Sequence, residues 1–195
     1  MDGLRRAVFL DRDGVLNPQA YYADRGELDS PLTPDRLEVN DWAAPYLQRL
    51  RQAGYLLVVV TNQPAYAKRK TSLDNLVGVR ERFLEHFRAL GVEFDLYLSC
   101  RHHPKSELPE LRRTCDCRKP MPGLLLQAAR ELEIDLRSSW MIGDRDTDIF
   151  AGEKAGCRTI LVRSPEAGHN GHSEPEYRCN NLIDACHVIL GETGP

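Results

Sequence analysis

Asp11-Arg12-Asp13-Gly14 directly follows the apolar run 7–10. Two residues apart on an extended chain, the carboxylates point the same way, and Gly14 lets the chain turn sharply beyond them. Acids that leave a buried strand together are costly unless something positive sits beside them, and a divalent cation is the natural partner. Alone, Asp-x-Asp-Gly fits a solvated turn as well as a catalytic pair, and its weight comes from three further groups. Thr61-Asn62-Gln63 closes a second apolar run with a hydroxyl and two amides that can donate to an anion. Arg118-Lys119-Pro120, stiffened by Pro120 and Pro122, holds two cations in place or is a solvated basic pair. Gly143-Asp144-Arg145-Asp146-Thr147-Asp148 adds acids that can complete a hard oxygen set for magnesium. Helix capping accounts for Asp146 or Thr147 but not for Asp144.

A second constellation stands apart from the carboxylates. Cys100-x-His102 and Cys115-x-Cys117 are two close pairs separated by twelve residues. Three thiolates and an imidazole make a closed tetrahedral set for structural zinc, with His103 a rival to His102 for the fourth place; buried or free thiols, or disulfides in an oxidising compartment, are the alternatives. Such a site would pin a long polar loop whose ordering entropy is otherwise unmatched. Cys157, Cys179 and Cys186 read as packing residues or free thiols, and His169 and His172 as a surface segment without the acids or thiols of a second metal site.

Apolar β-branched runs alternate with amphipathic stretches along the whole chain, which predicts a doubly wound, Rossmann-like α/β fold around a mostly parallel sheet. Strands are expected at 7–10, 56–61, 94–99, 140–142 and 159–162. Helices are expected at 42–53 and 72–90, from near Pro122, at 147–155, and again near the C-terminus. Gly54, Gly91 and Gly156 mark helix ends. Trp42, Phe83 and Phe87 have helical spacing and read as core, as does Trp140 on its strand. Residues 17–40, 100–118 and 163–181 resist the scheme as long loops, and the first two fall at the carboxyl edge of the sheet, where open α/β folds bind ligands. The chain reads as one domain, 1–195, with a zinc loop at 100–117, a C-terminal loop and helix at 163–195, and no room for a separate cap.

Four acidic, hydroxyl and basic motifs in this order, each after its strand, resemble those of the haloacid dehalogenase superfamily phosphatases over about residues 7–162. The resemblance implies that Asp11 is the nucleophile, forming an aspartyl-phosphate, and that Asp13 protonates the leaving oxygen and then takes a proton from water. It implies magnesium on Asp11, the Asp13 carbonyl and Asp144, with Thr61 and Lys119 on the phosphoryl oxygens. Asp148 is then a residue that orients Lys119 or a metal-bound water. The run from Cys100 to Pro104, followed by Cys115-Asp-Cys-Arg-Lys-Pro120 and Gly123, resembles a capless, zinc-bearing branch of the superfamily that acts on heptose 1,7-bisphosphate. That likeness implies sugar-phosphate contacts from Arg12, Gln19, Tyr22, Asn62, Gln63, Arg118 and Arg145. Histidinol-phosphate phosphatases share the zinc ligands. Arg145 in place of lysine and Pro64-Ala65-Tyr66 in place of a glycine-containing turn keep that substrate, or a related sugar phosphate, open.

The bulk composition sets outer bounds. A chain of 195 residues and 22.1 kDa, 42% hydrophobic and 28% charged, is an ordinary globular protein. A net charge of −3 and a pI near 6.1 argue against general affinity for nucleic acid or anionic membrane. The first apolar run begins too early for a signal peptide, and no run reaches membrane-spanning length, so the expectation is a cytoplasmic protein with a small-molecule partner and a monomer by default. The rival from another class is an inactive zinc-stabilised module that binds a sugar phosphate. A binder has no need of a nucleophile and an acid placed together.

Overall fold

A computed structural model describes residues 4–164 and 172–192. The first strand, β1 (Arg6–Leu10), lies at the centre of the sheet with both faces covered. Val8 and Leu10 pack into one core and Ala7 and Phe9 into the other, so the strand reads as one unbroken apolar run rather than an alternation. A hairpin of β2 (Ala20–Tyr22) and β3 (Glu27–Asp29) follows, then α1 (Ala44–Gln52), β4 (Tyr55–Asn62), α2 (Leu73–Ala89) and β5 (Leu96–Cys100). The second half consists of α3 (Gly123–Leu132), β6 (Trp140–Gly143), α4 (Asp146–Ala155), β7 (Arg158–Val162), β8 (Tyr177–Cys179) and α5 (Leu182–Leu190).

The six-stranded sheet has the order β5-β4-β1-β6-β7-β8, with every pairing parallel. The chain winds outward from β1 through β4 to β5, then returns to the other side of β1 and winds through β6 to β8. The reversal lies between β1 and β6, whose carboxyl ends therefore stand side by side at the crevice where such sheets bind ligands. Leu47 of α1 and Phe83 and Phe87 of α2 fill the core on one face, with Leu182 and Ile189 of α5. Leu124, Leu125 and Ala128 of α3 and Ala151 of α4 fill it on the other. Among the described residues no helix is long and apolar enough to cross a membrane.

The doubly wound α/β reading holds, with these differences. Trp42 is not core: it is 44% exposed, because it lies in a short 3-10 turn and α1 starts only at Ala44. The third expected strand starts at Leu96, and Phe94 packs from the preceding loop against Phe83 and Phe87. Residues 17–40 are not bare loop but carry the β2–β3 hairpin, and β8 adds an edge strand within 163–181. Three-residue strands are too short to show a period, which is why neither was visible in sequence. His169 lies outside the described residues. His172 is exposed, and its main-chain N–H donates to Asp146 Oδ2 at 3.3 Å.

Candidate active site and metal cluster

Asp11 leaves the end of β1 and Asp144 the end of β6, which brings them together at the reversal. Gly14 makes the approach possible: its φ is +87°, and a Cβ there would stand 2.0 Å from Asp144 Oδ2. Gly143 plays the same part for α4, since a Cβ on it would stand 2.1 Å from the Asp148 Cβ. Asp11, Asp144 and Asp148 each offer an oxygen, and these atoms all lie within 4.8 Å of one another.

One cation is built into this cluster. Lys119 Nζ is 2.9 Å from Asp11 Oδ1 and 2.6 Å from Asp148 Oδ1, and it donates to the Val60 carbonyl at 2.8 Å. Burial works against this ammonium, but Asp11 and Asp148 outweigh it and hold its pKa above the ordinary lysine value. Burial pushes Asp11 up to about 6 against the pull of Lys119. Burial, then the charges of Asp11 and Asp148, push Asp144 up to about 8. Asp144 is fully buried and neither carboxylate oxygen has a hydrogen-bond partner. Lys119 and, at 3.9 Å from Asp144 Oδ1, the half-exposed Arg145 face three buried carboxylates, and hard oxygen donors left without hydrogen bonds in this way fit a divalent cation such as magnesium.

The Asp13 carboxylate is not part of the cluster. Arg12 grips it through Nε (3.1 Å) and Nη2 (2.8 Å) on Oδ1 and Nη2 on Oδ2 (3.1 Å), while Asn17 Nδ2 donates to Oδ1 at 3.0 Å and Gln63 Nε2 to Oδ2 at 2.6 Å. Any metal contact from Asp13 is left to its main chain. Asp13 still lines a cleft of about 700 Å³, together with Asp11, Thr61, Lys119, Arg118 and Arg145. Gln19 and Asn62 also reach this cleft, as does Lys68, from the turn after β4.

Three residues expected at a substrate are placed otherwise. Arg12 and Gln63 line a separate hollow of about 200 Å³ instead of the cleft. The Tyr22 hydroxyl accepts from Leu32 N at 2.8 Å, and its ring meets the guanidinium groups of Arg25 and Arg36, beside a hollow of about 810 Å³ that contains none of the clustered acids. Asn62 combines two roles: its amide donates to the Lys119 carbonyl at 3.0 Å and accepts from Lys119 N at 3.1 Å, tying β4 to the lysine segment. Asn17 and Tyr97 were not singled out in sequence. Tyr97 sits within β5 with no motif around it, and only the fold reveals that it stands behind Arg12.

Cys100, His102, Cys115 and Cys117 come together as expected. Their sulfurs are 3.3 to 3.6 Å apart, and His102 Nδ1 is 3.3 Å from Cys117 Sγ and 3.6 Å from Cys100 Sγ. A tetrahedral ion with thiolate bonds of about 2.3 Å needs ligand atoms only slightly farther apart than this. His103 faces elsewhere, its Nδ1 accepting from Lys105 N at 3.1 Å. The loop leads directly into the site, because Arg118 Nη1 donates to the His102 carbonyl at 3.2 Å.

Residues 116–185 match a family model described as HAD-hydrolase-like. The D-glycero-beta-D-manno-heptose-1,7-bisphosphate 7-phosphatase of Vibrio cholerae is 41% identical over 186 residues, 94% of this chain and 96% of that protein. The enzyme of the same name from Pasteurella multocida is 36% identical over 190 residues, 96% of this chain and 98% of that protein. Among solved structures, the D,D-heptose 1,7-bisphosphate phosphatase of B. bronchiseptica, complexed with magnesium and phosphate, has a TM-score of 0.76 at 26% identity, covering 96% of this chain and 99% of that one.

Proposed function

The chain belongs to the haloacid dehalogenase-like family of heptose-1,7-bisphosphate 7-phosphatases, and on that footing we propose that it hydrolyses the C7 phosphate of D-glycero-D-manno-heptose 1,7-bisphosphate. The observation that carries the reading is the buried meeting of Asp11, Lys119 and an Asp144 without hydrogen-bond partners at the sheet reversal. A pKa of about 6 leaves Asp11 ionised at neutral pH, and Lys119 beside it draws the phosphoryl oxygens in. Asp11 attacks phosphorus, the bond from phosphorus to the C7 oxygen breaks, and Asp13, which must enter this step protonated, gives that oxygen its proton. In the second step Asp13 takes a proton from water as the water displaces phosphate from Asp11. Thr61 adds a hydroxyl to the phosphoryl site.

Asp11, Asp144 and the Asp13 carbonyl would hold magnesium, which when bound neutralises the repulsion between carboxylate and phosphate and stabilises charge on the group in transfer. Asp148 supports this arrangement through Lys119. Cys100, His102, Cys115 and Cys117 would hold a structural zinc that fixes Arg118 and Lys119 at the mouth of the cleft. Arg118, Arg145 and Lys68 offer the positive wall that a second phosphate on the sugar needs. We take the chain as one catalytic domain, working as a monomer in the cytoplasm.

The test is phosphate release with magnesium from both anomers of heptose bisphosphate, from histidinol phosphate and from several hexose phosphates. The highest kcat/KM is expected for a heptose bisphosphate. A preference for histidinol phosphate would keep the chemistry and move the substrate. Hydrolysis of none of them would leave a sugar-phosphate-binding module.

A further inference from the structure

Arg12 is charged, 1% exposed, and among the largest fully buried side chains of the molecule. A guanidinium taken this far from water needs its donors used, and Arg12 spends Nε and Nη2 on Asp13 and Nη1 on the Tyr97 hydroxyl, at 3.1 Å. Among the described residues its ion pair is with Asp13. The fork is bidentate and planar, so it sets the plane of the carboxylate as well as its place. On the other side Gln63 Nε2 donates both to Asp13 Oδ2 at 2.6 Å and to Thr61 Oγ1 at 3.0 Å. A continuous chain thus runs from Tyr97 through Arg12, Asp13 and Gln63 to Thr61, the hydroxyl at the phosphoryl site.

Resting on the reading of Asp13 as the acid, we infer that Arg12, held by Tyr97, is a positioning residue that aims the Asp13 carboxyl at the leaving oxygen, in register with the phosphoryl group at Thr61. Asp13 lines the cleft from the front while Arg12 and Tyr97 line the separate hollow behind. Arg12 therefore acts on the reaction through Asp13 rather than on the substrate. Orientation matters here because one carboxyl must meet the leaving oxygen and later the attacking water at the same place, and a misplacement of an ångström is costly.

Leaving-group chemistry separates this role from a merely structural one. The alkoxide leaving from heptose bisphosphate needs a proton from Asp13, whereas p-nitrophenolate leaves without one. The experiment follows release of the first product in a single turnover, with magnesium, for both substrates, in Tyr97→Phe, Arg12→Lys and, as reference, Asp13→Asn. Arg12→Lys keeps the charge but loses the fork, and should slow the heptose step by about ten-fold or more while changing the nitrophenolate step by less than about two-fold. Tyr97→Phe, which preserves the core shape, should show the same asymmetry more weakly, about three-fold. Equal losses on both substrates in Tyr97→Phe and Arg12→Lys, or no loss in either, would overturn the positioning role. If Asp13→Asn itself lacks the asymmetry, Asp13 is not the acid and the inference falls with that reading. An asymmetry in Asp13→Asn alone would sink only the part given to Arg12 and Tyr97.

Discussion

The Lys119 ammonium stands 2.6 Å from Asp148 Oδ1, and both side chains are 1% exposed. Removing Asp148 leaves the buried ammonium with Asp11 and the Val60 carbonyl, so the cost stays below the roughly 3–5 kcal/mol of a buried charge left with no partner. Asp148 also accepts from Arg145 N at 3.1 Å, closing the first turn of α4. Asp148→Ala loses both contacts, while Asp148→Asn keeps an acceptor for Arg145. Urea melts should therefore rank the parent above Asp148→Asn and Asp148→Ala lowest, with kcat reduced in both variants because Lys119 is no longer held over Asp11. Equal stability of the two variants would assign the whole effect to the charge and none to the helix start.

Asp11→Asn should abolish turnover without unfolding the protein. The buried carboxylates outnumber Lys119, and burial already disfavours the charged form of Asp11, so a neutral amide removes repulsion and leaves Lys119 its pair with Asp148. The metal-free variant should melt at or above the parent temperature and fail to form an acid-stable phosphoenzyme. Magnesium-dependent hydrolysis that survives the substitution would move the nucleophile elsewhere.

The raised pKa values of Asp144 and Asp11, about 8 and about 6, make the metal-free protein sensitive to pH. Both exceed the 3.8 of a free carboxyl, so between about pH 4 and pH 8 the folded state holds more protons than the unfolded chain, and stability falls as pH rises through that window. Asp144→Asn has no proton to give up there. Its Tm at pH 8 without magnesium should exceed the parent's by several degrees, with the gap closing towards pH 4. Magnesium should raise the parent's Tm most at pH 8 and leave the variant unmoved. A gap of the same size at both ends of the range would show that the titration of Asp144 is not its source.

What was legible in the sequence was whatever a buried parallel strand makes conspicuous. An unbroken apolar run that stops at a carboxylate marks both the strand and its functional end, which is why Asp11 and Asp144 stood out, and the paired spacing of Cys100, His102, Cys115 and Cys117 did the same for the metal loop. Side-chain destinations were legible less often. Strand alternation suggested that Asp11 and Asp13 point the same way, but β1 ends at Leu10, and in the bend beyond it Asp13 turns to Arg12 rather than to the Asp11 cluster. Tyr22 gave no such signal: its hydroxyl is taken by Leu32 in a hairpin whose strands are too short to show which face is inward. The link from Tyr97 to Asp13 joins β5 to the turn after β1, two strands that are not neighbours in the sheet, and only the assembled fold connects them.

A zinc ion in the 100–117 loop would join stability to specificity. Burial pushes the Cys100 and Cys117 thiols up, so a metal-free loop keeps protonated sulfurs 3.3 Å apart, and a bound ion must displace those protons. With zinc removed, the loop that carries Arg118 on the His102 carbonyl would lose its cross-link. A strong chelator should lower the Tm by roughly 10 °C or more and raise KM for heptose bisphosphate, through the loss of Arg118, more steeply than it lowers kcat. Zinc added back should restore both values, and magnesium alone neither. Cys117→Ser should reproduce the chelated state and bind less than one equivalent of zinc by elemental analysis. A melting curve indifferent to the chelator, on protein shown to be free of zinc, would mean that the loop is held by its own contacts and that the four ligands serve some purpose other than folding.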